Sequence, residues 1–163
     1  MSTTQTADSS TPTQTQPTPQ GSEGAHWGLT AEELATIPTI YRPDIFSGKS
    51  FLISGGGSGM GFATAMIAMR LGAEVMICGR DEQKLATAAS DIRRLIGRSV
   101  AWKALTIRDP EQVDTLMDEA FSRFGGLTVL VNSAGGQFAQ EALDMTVKGW
   151  NAVIDTNLNG TWW

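Results

Sequence analysis

The sequence predicts an α/β fold: a doubly wound parallel sheet with helices on both faces, present here as an incomplete β-α-β-α-β-α-β half followed by one further helix. Two observations predict it. Short runs of consecutive apolar residues, too uniformly apolar for strands with one wet face, alternate with longer amphipathic stretches. A glycine-rich turn joins the first apolar run to the first of those stretches. The length of 163 residues fits one domain, against a prior of roughly 100–200 residues each.

Taken in order, residues 1–28 read as a disordered leader. Of the first 24 positions, 20 are Thr, Ser, Gln, Pro or Gly, leaving almost nothing to bury against a core. The leader has neither the basic start and apolar stretch of a secretory signal nor the arginines of a transit peptide, so a cytoplasmic location is expected. Residues 29–47 read as a short capped helix and linker. Thr30 and Glu33 form a capping box, Leu29 and Leu34 take the staple positions, and Pro38 and Pro43 stop the helix.

The sheet domain is expected over 48–163. Phe51-Leu52-Ile53 is the first strand, and a helix runs from the glycine turn through Arg70. Val75-Met76-Ile77-Cys78 is the second strand, with a helix across Leu85, Ala88, Ile92 and Leu95. A third strand near Val100–Leu105 leads to Asp109-Pro110-Glu111-Gln112, which starts a helix with Asp109 as cap, Pro110 at the first helical position and Gln112 reaching back. Its apolar stripe is Val113, Leu116, Met117, Ala120, Phe121 and Phe124. Leu127–Val131 is the fourth strand. Near the end, Trp150, Val153, Ile154, Asn157 and Leu158 fall on one helical stripe, which places the Asn157 amide facing inward, where it needs a partner.

Composition excludes several functions. The chain has one cysteine, Cys78, and one histidine, His26, so no intramolecular disulfide, cysteine-rich zinc site or serine–histidine triad is expected. No metal site is expected either. The formal net charge is −5, of which residues 1–44 supply −4, so the body is near neutral and lacks the basic field of a nucleic-acid binder. No apolar run is long enough to cross a membrane.

Ser54-Gly55-Gly56-Gly57-Ser58-Gly59-Met60-Gly61 lies between the first strand and its helix. There a helix N-terminus and its amides favour an anion, and glycines let a phosphate approach the backbone, the arrangement of a Rossmann-type dinucleotide site. Strict G-x-G-x-x-G spacing fails at Met60, and no Lys-Ser/Thr of a Walker loop follows. Gly55 is expected to make the turn, Gly59 to admit the pyrophosphate and Gly61 to allow close helix–strand packing. Ser58 is either a hydroxyl donor to phosphate or a loop filler. At the end of the second strand, Arg80 suits a ribose 2′-phosphate, whereas Asp81 one residue later suits the cap of the next helix. NADP(H) is therefore favoured over NAD. Arg80 as a plain surface residue is the alternative.

These residues carry a resemblance. Ser54-Gly55-x-x-x-Gly59-x-Gly61 resembles the T-G-x-x-x-G-x-G loop of the short-chain dehydrogenases/reductases, with Ser for Thr. Asn132-Ser133-Ala134-Gly135 is similar to that family's N-N-A-G, and Asn157 matches its active-site asparagine. The resemblance implies strand order 3-2-1-4, a cofactor loop that includes Ser54 and Met60, Asn132 bracing the strands, Ala134 and Gly135 at the cofactor ribose, and Asn157 as a catalytic residue. The other reading of Asn157 is a helix-terminal cap. Thr106 stands where the family commonly has Asp, so adenine would rest on Ile107 and backbone groups. Gly135-Gly136-Gln137-Phe138 with Trp150 and Asp155–Leu158 looks most like the branch that reduces 2-enoyl- or 2,4-dienoyl-CoA thioesters, which implies an acyl-CoA substrate; ketone or alcohol chemistry is the alternative. Family catalysis also needs a Tyr-x-x-x-Lys beyond the asparagine. The single tyrosine here is Tyr41, and no lysine follows Lys148. The chain is therefore expected to be an N-terminal portion, inactive alone or a nucleotide-binding module, with the family's homo-oligomer formed only when the remaining half is present.

Overall fold

The computed structural model describes residues 28–137 and 140–163. The expectations for the leader, His26 and Phe138 lie outside the described residues. Four strands, β1 (Ser50–Ser54), β2 (Glu74–Gly79), β3 (Ala101–Ala104) and β4 (Val129–Asn132), form one sheet in the order β3-β2-β1-β4. All three pairings are parallel, and the central register sets Phe51 beside both Val75 and Val129. Around the sheet lie α1 (Ala31–Thr36), α2 (Gly59–Arg70), α3 (Glu82–Ile96), α4 (Pro110–Phe124) and α5 (Val147–Ile154). A 3-10 turn covers Ala142–Asp144, and α5 passes through a π-helical turn at Asp155–Asn159 into a final turn, α6 (Gly160–Trp162).

Strand alternation sorts the core into two layers. On one face Phe51, Ile53, Val75 and Ile77 meet Ala65, Met66 and Met69 of α2, Leu85, Ala88 and Ile92 of α3, and Leu34 of α1. On the other, Leu52, Met76 and Cys78 meet Val113, Leu116 and Ala120 of α4. β1 and most of β2 are buried on both faces, which is why they read as unbroken apolar runs. Each fully buried Ile or Leu contributes about 1.5–3 kcal/mol by its removal from water.

The helix starts follow their residues. The α1 capping box is complete, with Glu33 N–H donating to Thr30 Oγ1 and Thr30 N–H donating to Glu33 Oε2. Leu34 is buried but Leu29 is half-exposed, so burial at the staple is one-sided. Asp81 accepts from Lys84 N–H and Asp109 from Glu111 N–H, at 3.0 Å in each case. Gln112 does reach back: its amide donates to the carboxylate of the cap residue Asp109 and accepts from Thr106 N–H. β4 starts two residues later than the apolar run suggested, and just ahead of it Thr128 N–H already bonds Ser50 of β1.

Candidate functional site

At the carboxyl ends of the strands lies a cleft of ≈ 740 Å³. The glycine loop, the end of β2, the β3–α4 loop and the exit of β4 line it. A crevice here, between β1 and β4 where the winding reverses, is where open parallel sheets receive ligands.

The glycine loop is shaped by backbone, not side chains. Gly55 turns the chain at φ +70°, and a Cβ there would stand 2.7 Å from Ala134 N and 2.8 Å from the Ser133 carbonyl. Gly61 packs onto the backbone of Gly55, so α2 lies directly against the end of β1. Gly59, at φ +54°, has open space where a Cβ would be, and it lines the cleft. Gly56 was not singled out from the sequence. Its missing Cβ is what accommodates Ile77 of β2, a need that shows only once β1 and β2 are in register. Both Gly55 N–H, at 2.8 Å, and Gly56 N–H, at 3.3 Å, donate to the Cys78 carbonyl oxygen. Ser58 is the extended N-cap of α2 but makes no side-chain capping bond, and the first turn of α2 carries no acid. Its hydroxyl and the free amides behind it border the cleft, with Met60 exposed beside them.

Ser54 has a different place from its neighbours. It is buried, and its Oγ accepts from Ser133 N–H and Ala134 N–H at 3.2 Å each and donates to the Val131 carbonyl. The hydroxyl ties the ends of β1 and β4 together and sits behind the cleft wall. Asn132 pairs in register with Ser54 and is itself exposed, so the side-chain bracing between these strand ends comes from the serine. Ala134 and Gly135 line the cleft.

Arg80 is exposed on the cleft rim, and no ion pair or hydrogen bond engages its guanidinium among the described residues. Asp81 is engaged as the α3 cap and stands 3.8 Å from Lys84 Nζ. Arg108 also borders the cleft, donating from Nε to Thr156 Oγ1 at 2.6 Å. Among the lining residues three are cationic and Asp81 alone is acidic, so the rim favours a polyanion. Lys84, Arg108 and Thr156 were not marked from the sequence, because exposed cations and a helical threonine carry no pattern of their own. Ile107 is nearly buried, and its side chain presses on Gly160 while it lines the cleft. Behind the rim, burial pushes the Cys78 thiol up to about 12, and the side chain packs in the α4-side core.

Asn157 lies in the π-helical turn. Its Oδ1 accepts from Gly136 N–H at 3.1 Å, and its Nδ2 donates to the Gly136 and Val153 carbonyls at 2.8 and 3.0 Å. A Cβ on Gly135 would be 2.7 Å from that Oδ1, so a larger residue there would have to displace this amide. The inward stripe expected for this helix is corrected. Trp150 and Leu158 are 58% and 61% exposed: Trp150 is already exposed on α5, and the π-helical turn breaks the 3.6-residue period after Ile154, ahead of Asn157 and Leu158.

Among the described residues no grouping of three or more His, Cys, Asp or Glu could hold a metal ion, and no helix is long and apolar enough to cross a membrane.

A family model described as short chain dehydrogenase matches residues 49–163. The peroxisomal 2,4-dienoyl-CoA reductase [(3E)-enoyl-CoA-producing] of Danio rerio is 34% identical over 122 residues, covering 75% of this chain and 41% of that protein. Among solved structures, the citronellol catabolism dehydrogenase AtuB of Pseudomonas aeruginosa PAO1 aligns with a TM-score of 0.71 at 38% identity, over 76% of this chain and 50% of that one. L-sorbose reductase from Gluconobacter frateurii, solved with NADPH and L-sorbose, aligns at 0.69 and 27% identity, over 74% and 46%. The chain thus spans half or less of the length of these relatives.

Proposed function

Because the chain belongs to the short-chain dehydrogenase family, we propose that its cleft holds NADP(H) and serves hydride transfer to an enoyl- or dienoyl-CoA thioester, or alternatively to a carbonyl. The residues fit such a cofactor. The cleft volume is in the range of ligand sites, the space beside Gly59 leaves the loop backbone open to a diphosphate, and the α2 N-terminus with Ser58 offers unengaged donors. Gly59, Met60 and Ser58 would hold the diphosphate, Ile107 the adenine, Arg80 the 2′-phosphate, and Ala134 with Gly135 the second ribose. The bound nicotinamide supplies the hydride.

The observation that carries the NADP(H) reading is the contrast between Arg80 and Asp81. Among the described residues the cation is unpartnered just after β2, whereas the carboxylate beside it caps α3. The acyl-CoA reading is supported by the dienoyl-CoA reductase named above. Asn157 holds Gly136 of the loop after β4 through both ends of its amide, which supports a place for it on the substrate side of the cleft.

A calorimetric titration of the purified chain with 2′,5′-ADP and 5′-AMP tests the cofactor reading. Charge-assisted bonds to the extra phosphate are expected to favour 2′,5′-ADP by roughly 10–100-fold. Equal affinities would overturn it. A second reading, cofactor binding without turnover, is favoured by one observation: the only tyrosine, Tyr41, precedes β1 and does not line the cleft. NADPH mixed with crotonyl-CoA and the chain should then hold its absorbance, and steady oxidation would reject that reading.

A further inference from the structure

Helix α1 has six residues and stands outside the family-matched segment. Isolated helices shorter than about 12–15 residues are marginal in water, so tertiary anchors must hold it. Three do. Leu34 is 6% exposed and belongs to the core layer that contains Met69 of α2 and Ile92 of α3. Arg70, the last residue of α2, donates from Nη1 to the Leu34 carbonyl at 2.7 Å and from Nη2 to the Ile37 carbonyl at 2.9 Å. A helix end leaves carbonyls without partners and favours a cation there, and α1 has no basic residue in its own last turn. The forked guanidinium of α2 supplies both. Arg94 of α3 reaches Glu32 at 2.8 Å, also holding Asp91. Farther along, Phe46 N–H donates to the Leu71 carbonyl at 2.8 Å, and its ring packs at 5.1 Å on Phe51 of β1.

The segment is thus pinned at both ends, with Ile40 and Tyr41 exposed between the pins. Its α1 end bridges α2 and α3, and the opposite ends of those two helices, at Gly59 and Asp81, wall the cleft. We propose that residues 29–47 are a strap that clamps α2 against α3, gripping α2 through the Arg70 fork and α3 through the buried Leu34, and so holds the two cleft-facing helix starts at fixed separation. The inference does not depend on which cofactor the cleft takes.

Hydrogen–deuterium exchange and chymotryptic cleavage at Tyr41, both on the full chain without ligand, test it. In Arg70→Met, exchange over Ala31–Thr36 and over both α2 and α3 should rise about fivefold, Tyr41 should be cut correspondingly faster, and the Tm should fall by about 2–4 °C. Arg94→Gln, which cuts the surface pairs to Glu32 and Asp91, should leave all of these near the wild-type values. If α1 exchange rises while α2 and α3 stay unchanged, the clamp is refuted; wild-type behaviour throughout, or an equal effect from Arg94→Gln, also refutes it. Should Arg70→Met not fold, Leu34→Ala loosens the strap from its own side and is read against the same expectations.

Discussion

Replacing Gly55 by alanine loads two separate costs onto one position. The φ of +70° is left-handed, which costs an L-residue about 1–2 kcal/mol. The new Cβ would also stand 2.7 Å from Ala134 N and 2.8 Å from Ser133 C and O, all backbone atoms of the segment leaving β4. Those atoms cannot rotate aside, because Ser54 Oγ holds the same two amides. Overpacking of this kind costs about 1–3 kcal/mol, so the total is about 2–5 kcal/mol, a large part of a domain's 5–15 kcal/mol. Gly59→Ala is the internal control. Its φ of +54° carries the conformational cost, but nothing lies within 4 Å of the added carbon. Urea unfolding followed by far-ultraviolet circular dichroism separates them: with m near 1–3 kcal/mol/M, Gly55→Ala should lose about 1–2 M in midpoint, and Gly59→Ala well under that. Equal midpoints would refute the close approach of the glycine loop to the β4 exit.

Other predictions test neighbouring parts of the site. Ser54→Ala should destabilise by about 1–3 kcal/mol, since it strips the shared acceptor from Ser133 N–H and Ala134 N–H; a midpoint unchanged in urea would reject the bracing role. Arg80→Asp should shift preference from 2′,5′-ADP toward 5′-AMP in calorimetry, and an unchanged ratio would remove Arg80 from the site. For Cys78 the folded thiol is raised from 9.0 to about 12, so the unfolded chain gives up its proton first. That contribution to stability is intact below about pH 9 and declines as pH rises toward 12, by at most about 1.4 kcal/mol per pH unit. Cys78→Ala should flatten this alkaline decline relative to wild type, and parallel curves would contradict it.

The architecture was legible because its signals are local. Unbroken apolar runs at Phe51–Ile53 and Val75–Cys78 mark strands buried on both faces, and Asp81, Asp109 and Pro110 mark helix starts whose partners lie within three residues. Gly55 and Gly59 were legible as members of a spaced motif and Arg80 by its place after the second strand, and all three line the cleft. What could not be read depends on partners distant in sequence. Ser54 looked like part of the ligand loop, but its hydroxyl works on residues 79 and 80 positions away. Gly56 is required by Ile77 across the β1–β2 register. Arg70 reads as an ordinary basic end of α2 until Leu34 and Ile37 present their carbonyls. Asn157 was found by its motif, although the stripe argument placed it wrongly, because a π-helical turn leaves no trace in a 3.6-residue period.

The Cys78 carbonyl that accepts both Gly55 N–H and Gly56 N–H has a further consequence. One peptide oxygen anchors the turn that would receive the diphosphate, and it sits two residues from the cation that would read the ribose. The two ends of the adenosine moiety are therefore gauged from a common datum, like the jaws of a caliper cut from one bar. Movement of the turn carries the strand end with it. Changes of side chain at position 80 should accordingly exchange one ribose substituent for another without altering the span between the two recognition points. Cofactor preference becomes an interchangeable setting on a fixed scale.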